Sequence, residues 1–140
     1  MDLTGKRLLV LGCTNNAPDV AAYAQKNGVH IIVAGLEFSE EIKAIAEERY
    51  ILNVLDRDGL AKLIKEKHID GIFVGGNENL ISSAIDVTEK LGMPFYSSRA
   101  LWDRLMNKRI FKQACREYGV PTMEDYPIDE TDLDASAETL

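Results

Sequence analysis

Short apolar runs alternate along this chain with stretches whose apolar residues recur at helical spacing, and that alternation admits one class of fold. The runs at 6–11, 30–34, 49–54, 71–74 and 94–96 are rich in Leu, Ile and Val. Gly12, Gly35 and the pair Gly75-Gly76 end three of them. Near-continuous apolar strands joined by amphipathic helices predict a parallel sheet covered on both faces. The helices are expected at 17–27, 39–48, 59–67, 79–91 and 99–118. Their signals are local: Asn16, Ser39, Asp56 or Asp58, and Ser98 as caps, and Gly28, Gly92 and Gly119 as stops. The third run is less apolar than the others and is placed near a sheet edge. Residues 122–126 read as one more extended piece. The expected fold is therefore α/β and Rossmann-like: three layers, with about five parallel strands between helices.

Length and composition agree with a single compact core. The chain has 140 residues, 46% of them apolar and 28% charged, which is ordinary for a globular domain. No apolar run approaches the ~20 residues that cross a bilayer, and the first residues do not resemble a secretory leader. A cytoplasmic protein without a membrane partner is expected. The net charge of −7 is unevenly spread, because seven of the 23 acids lie in the last 17 residues, which carry no Lys or Arg. The remainder is neutral, and nothing in it forms the basic surface that nucleic acid requires. Cys13 and Cys115 form no ligand or disulfide pattern, so both are expected as thiols, at least one of them in a core. His30 and His68 each precede a strand and are expected at the surface.

Ligands of open parallel sheets bind beyond the carboxyl ends of the strands. Two loops there combine glycine with small polar side chains: Gly12-Cys13-Thr14-Asn15-Asn16 and Gly75-Gly76-Asn77-Glu78-Asn79. Each precedes a helix N-terminus, which favours an anion. Gly12, Asn15, Gly75, Gly76, Glu78 and Asn79 are the candidate substrate contacts. A dinucleotide site is disfavoured, because the first loop keeps only the first glycine of G-x-G-x-x-G, although Glu37 lies where a ribose-binding acid would sit. The phosphate-cradling G-x-x-x-x-G-K-[ST] is absent. On 99–118, Arg104, Lys108, Lys112 and Arg116 form one ridge, and Trp102, Met106, Ile110 and Ala114 a second, apolar one.

Several stretches together resemble a known family. They are Glu48-Arg49-Tyr50-Ile51-Leu52 before an Asp-led helix, Ile69-Asp70-Gly71-Ile72-Phe73-Val74, Leu91-Gly92-Met93-Pro94-Phe95-Tyr96-Ser97-Ser98, Asn107-Lys108 with Phe111-Lys112, and Tyr118-Gly119-Val120-Pro121-Thr122. The chain resembles the N-terminal, pre-ATP-grasp domain of ATP-grasp ligases, nearest to carbamoyl-phosphate synthase large-subunit-like proteins and more distantly to biotin carboxylase. Asn107 departs from the Asp-Lys pair of that family. The resemblance divides the chain into a Rossmann-like domain at 1–97, a linking helix and turn at 98–126, and an acidic tail at 127–140 expected to be flexible. It implies an ATP-dependent carboxylate–amine ligase in which Lys108 reaches the nucleotide and the 75–79 loop borders a small carboxylate substrate. ATP and magnesium would serve the complete enzyme, with neither held tightly by this chain alone. The clamping lobes are expected on the same polypeptide or on a split-gene partner. No turnover is expected without them. An apolar patch around Trp102, Met106, Phe111 and Tyr118 would face them, or would support a homodimer. A stand-alone Rossmann-like module that binds a small anion or regulates is the alternative.

Overall fold

The computed structural model describes residues 2–12 and 16–124. The predicted tail, Cys13 and Asn15 therefore lie outside the described residues. The chain divides into two compact units, Met1–Trp102 and Asp103–Leu140.

The first unit runs β1 (Arg7–Leu11), α1 (Ala17–Lys26), β2 (His30–Gly35), α2 (Glu40–Ile45), β3 (Glu48–Ile51), α3 (Arg57–Glu66), β4 (Gly71–Val74) and α4 (Glu78–Leu91). α5 (Arg99–Met106) begins in it. The four strands are parallel, in the order β3-β2-β1-β4. As the weaker apolar pattern predicts, β3 is an edge. Leu11 lies in register with Ala34 on one side and Val74 on the other.

Alternation along the strands divides the core in two. Leu9, Leu11, Ile32, Ala34, Ile72 and Val74 face Leu60, Leu63 and Ile64 of α3 and Ile81 and Ile85 of α4. Val10, Ile31 and Val33 face Ala17 and Ala21 of α1 and Ile42 of α2. Helices thus cover both sides, with α1 and α2 on one face and α3 and α4 on the other.

Local chemistry sets the helix limits. Ser39 Oγ accepts from Ile42 N at 3.3 Å, Asp56 Oδ1 from Gly59 N at 3.0 Å, and Asn77 Oδ1 from Leu80 N at 3.1 Å. Gly92, at φ +65°, stops α4 in the left-handed conformation that glycine adopts without strain. Asn16 takes the N-cap position of α1 without a side-chain cap bond, and Pro18 in the first turn supports that start instead. α2 ends at Ile45, short of 48, because Ala46 turns extended and Glu47 and Glu48 are drawn to the sheet. The Glu47 carboxylate accepts from Ile31 N.

Glu48 gathers the amino ends of the sheet. It meets Arg7 Nη2 at 2.6 Å, His30 Nε2 at 2.9 Å, the Tyr50 hydroxyl at 2.5 Å and Lys67 Nζ at 3.2 Å. His30 is thereby half-buried and partnered, while His68 is exposed at φ 49°. The Tyr50 hydroxyl, followed by Arg7, His30 and Lys67, holds the Glu48 carboxyl far below the usual carboxylate range despite its burial. The same contacts with Tyr50 and Glu48 raise Lys67.

Two sequence expectations need correction. Residues 94–96 form no fifth strand; Pro94 has no N–H for a ladder. The segment is held instead by ring and side-chain contacts. Phe95 and Tyr96 stack at 4.1 Å, Met93 and Phe95 pack on the core, and the Tyr96 hydroxyl donates to Val74 O at 3.2 Å. The helix at 99–118 is also two helices, α5 and α6 (Lys108–Glu117). Asn107 sits between them at ψ 105°, and its side-chain oxygen accepts from both Arg109 N and Ile110 N. Its short side chain caps a new helix better than it continues the old one. Of the extended piece expected at 122–126, residues 122–124 belong to no strand, and 125–126 lie outside the described residues. In the second unit Arg104 pairs with Glu117 at 3.3 Å, and no described side chain is fully buried. Cys115 is a half-buried thiol rather than a core residue.

Two stability tests follow from these contacts. Glu48→Gln should lower stability by about 2 kcal/mol, the scale of hydrogen bonds to a charged group. The folded carboxyl titrates far below its ordinary value of 4.5, so its stabilisation is complete above that pH and erodes as acid is added below it. Denaturant midpoints measured against pH should therefore converge for the two proteins only in strong acid; a constant gap would reject the ionic contribution. Asn107→Ala should remove about 1 kcal/mol through the lost cap, and an unchanged midpoint would deny that role.

Candidate functional site

The direction of winding reverses beside β1. From β1 the chain steps outward through β2 to β3, then returns across the sheet to place β4 on β1's other edge. The carboxyl ends of β1 and β4 are thus adjacent where the order changes, the place such sheets use for ligands. The loops predicted from the sequence leave the sheet at this point.

Gly12 follows β1 at φ +71°, and its N–H donates to Ala34 O at 3.0 Å. A Cβ there would lie 2.7 Å from Leu80 Cδ1, so the exit of β1 runs directly beneath the first turn of α4. After β4, Gly75 is buried and Gly76 is exposed with open space around its Cα. Glu78 and Asn79 lie exposed in the first turn of α4, behind the Asn77 cap. Four of the candidate substrate residues, Gly75, Gly76, Glu78 and Asn79, therefore share one strand-to-helix connection, and Gly12 meets the same helix. The Tyr96 hydroxyl on Val74 O lies at this end as well, and burial pushes it above the usual phenol range, so it remains a donor. Lys108 is the first residue of α6 in the second unit and is exposed there.

Beside Gly12 a cleft of about 450 Å³ opens over the ends of β2 and β3. Gly12, Gly35, Leu36, Glu37, Leu52, Asn53, Val54, Leu55 and Leu80 line it. Ser83 Oγ donates to Val54 O at 2.7 Å, which fixes α4 against one wall. Of these residues, sequence reasoning singled out Gly12 and Glu37. Asn53, Leu55 and Leu80 belong to no motif, and only their position after a strand or at a helix start marked them. A second hollow, about 320 Å³, lies at the opposite end of the sheet around Leu3, Leu8, Ala24 and Val29. Its charged pair, Lys6 and Asp70, is already joined at 2.9 Å.

Among the described residues no three His, Cys, Asp or Glu side chains converge to hold a metal ion. The 75–79 loop supplies one carboxylate, Glu78, so its residues do not fit a magnesium site. No described helix is long and apolar enough to cross a membrane.

No family model matches the chain. Two curated relatives are formate-dependent phosphoribosylglycinamide formyltransferases. That of Syntrophotalea carbinolica is 25% identical over 117 residues, covering 83% of this chain and 30% of the relative. That of Pyrococcus abyssi is 25% identical over 120 residues, covering 85% and 28%. Among solved structures, the N5-carboxyaminoimidazole synthetase from Staphylococcus aureus complexed with ADP superposes with a TM-score of 0.74 at 21% identity, covering 98% of this chain and 37% of that one. The phosphoribosylglycinamide synthetase from Anaerococcus prevotii gives 0.71 at 22%, covering 96% and 35%. The chain spans about a third of the length of these proteins. In sequence and in fold it is similar to the N-terminal part of much larger ATP-grasp ligases.

Proposed function

We propose that this chain is the substrate-side domain of an ATP-dependent carboxylate–amine ligase, which activates a carboxylate as an acyl phosphate and passes it to an amine. The observation that carries the reading is the meeting of Gly12 with the first turn of α4 at the switch point. The similarity to ATP-grasp ligases supports it. The sequence motifs lean toward the carbamoyl-phosphate-synthase-like branch, whereas the curated relatives are formyltransferases. Activation of a carboxylate is common to both readings.

The chain's own residues suit binding and orientation. Gly76 leaves the backbone N–H groups before α4 open to an anion, and the N-terminus of this 14-residue helix favours negative charge. A substrate carboxylate suits the backbone at Gly76 and Asn77. Glu78, an acceptor only, would repel that group and suits the ammonium or hydroxyl of the acceptor instead. Lys108 is assigned to the nucleotide by family resemblance. Phosphoryl transfer rests on positioning and metal charge, and the metal ligands and most nucleotide contacts are assigned to further lobes. Met106, Phe111 and Tyr118 are exposed, as a surface meeting those lobes would be, whereas Trp102 packs on the core. The complete protein is read as cytoplasmic.

The test is carboxylate-stimulated release of ADP. The 140-residue chain should show none, and the complete gene product should show it. There Lys108→Ala should raise KM for ATP about ten-fold, equivalent to ~1.4 kcal/mol, and Glu78→Gln should raise KM for the acceptor. Stimulated hydrolysis by this chain alone, or a native product of 15.6 kDa that acquires no activity with any co-purifying partner, would overturn the assignment.

A further inference from the structure

A substrate carboxylate at Gly76 and Asn77 would be held by main-chain N–H groups, and the local sequence does little to fix their direction. β4 is an edge strand, hydrogen-bonded to β1 alone. Two glycines follow it, and glycine tolerates more backbone conformations than any other residue. No neighbouring atom stands within 4 Å of where a Cβ on Gly76 would lie, so packing does not wedge it in place. Groups that must be ordered when a ligand arrives weaken its binding. A site of this kind therefore needs a device that sets the backbone beforehand.

Side chains fix the connection at both of its ends. At the helix end, Asn77 Oδ1 accepts from Leu80 N at 3.1 Å and pins the first turn of α4. At the strand end, the Tyr96 hydroxyl donates to Val74 O at 3.2 Å. A trans peptide unit is planar, so the Val74 carbonyl and the Gly75 N–H point opposite ways from one rigid plate. Holding the oxygen sets the direction of that N–H and the point from which the two glycines start.

Tyr96 is itself held. Its ring lies 4.1 Å from that of Phe95, which packs on the core together with Met93. Three residues on, Arg99 fastens the segment to α4. Its N–H donates to Glu89 Oε1 at 2.8 Å, and its guanidinium donates to Ser82 O at 2.8 Å and Asp86 Oδ1 at 2.5 Å. Residues 93–99 thus form a brace from the body of α4 back to the last carbonyl of β4.

We propose that Tyr96 is a positioning residue of the carboxylate loop, its hydroxyl holding the end of β4 so that the N–H groups of Gly76 and Asn77 are set before a carboxylate binds. This role rests on the ligase reading of the loop and adds to it a residue that touches no substrate.

Tyr96→Phe keeps the ring and removes the hydrogen bond, which separates positioning from packing. The variant and the wild type are compared as full, isotope-labelled chains by NMR, alone and with acetate as the carboxylate. Without acetate, the substitution should shift the Val74 carbonyl carbon and the Gly75 amide. Hydrogen exchange at Gly75, Gly76 and Asn77 should quicken about five-fold, the worth of one ordinary hydrogen bond. Amides of β1, β2 and β3 should keep their shifts. With acetate, the wild-type Gly76 and Asn77 amides should shift saturably, and the variant should need about five-fold more acetate for the same effect. Equal acetate midpoints, or unchanged exchange at 75–77, would overturn the proposal and leave the ligase reading standing. Changes spread through β1, β2 and β3 would overturn it as well, because they would mark Tyr96 as a packing residue only. Acetate shifts absent from both proteins would overturn the carboxylate assignment of the loop and this role with it.

Discussion

Burial of β1 on every side is the constraint from which the other features follow. Leu9, Val10 and Leu11 have no exposed surface, because strands lie along both edges and helices along both faces. A strand in that position offers the chain no further edge. β2 and β3 must add on one side, and the chain must then return to the other. The return moves the helices to the opposite face and opens the sheet's carboxyl end beside β1. Hydrophobic burial thus positions the candidate binding region without a dedicated binding residue in the core. Each fully buried Leu contributes about 1.5–3 kcal/mol, so the geometry of the site rests on a large part of the stability of the domain.

Much of this was legible because the signals are local. Strand runs end at glycine, Ser39 and Asp56 cap helices three residues ahead, and the weaker third run proved to be an edge. The departures arose where distant groups compete with a local preference. Residues 94–96 are aromatic enough for a strand, yet proline and the pull of the Tyr96 hydroxyl toward Val74 favour packing over a ladder. Residues 99–118 carry an unbroken helical period, but Asn107 satisfies two N–H groups better as a cap than as an interior residue. The break also separates Arg104 from Lys108, Lys112 and Arg116, so the predicted basic ridge is not one continuous helix face.

The candidate site was legible in part for the same reason. Gly12, Gly75, Gly76, Glu78 and Asn79 follow from the rule that ligands meet strand ends, which needs only the order of elements. The cleft beside them is assembled from Glu37, Asn53, Leu55 and Leu80, which approach one another only through the topology. No spacing in the sequence announces such a group. The region therefore has two chemically distinct parts: a helix N-terminus suited to an anion, and an aliphatic slot with one acid at its rim.

Glu48 gives the opposite end of the sheet a different character. Four partners from β1, β2, β3 and the turn after α3 converge on one carboxylate. Replacing Glu48 leaves Arg7 and Lys67 without their shared counter-ion, so substitutions there succeed mainly as compensated sets. Among the described residues, the loops at the carboxyl ends carry no comparable shared centre and can change one residue at a time. Sequence drift in this fold should accordingly be slow and correlated at one pole and rapid and independent at the other. That asymmetry would let a single scaffold acquire new specificities without renegotiating its foundation.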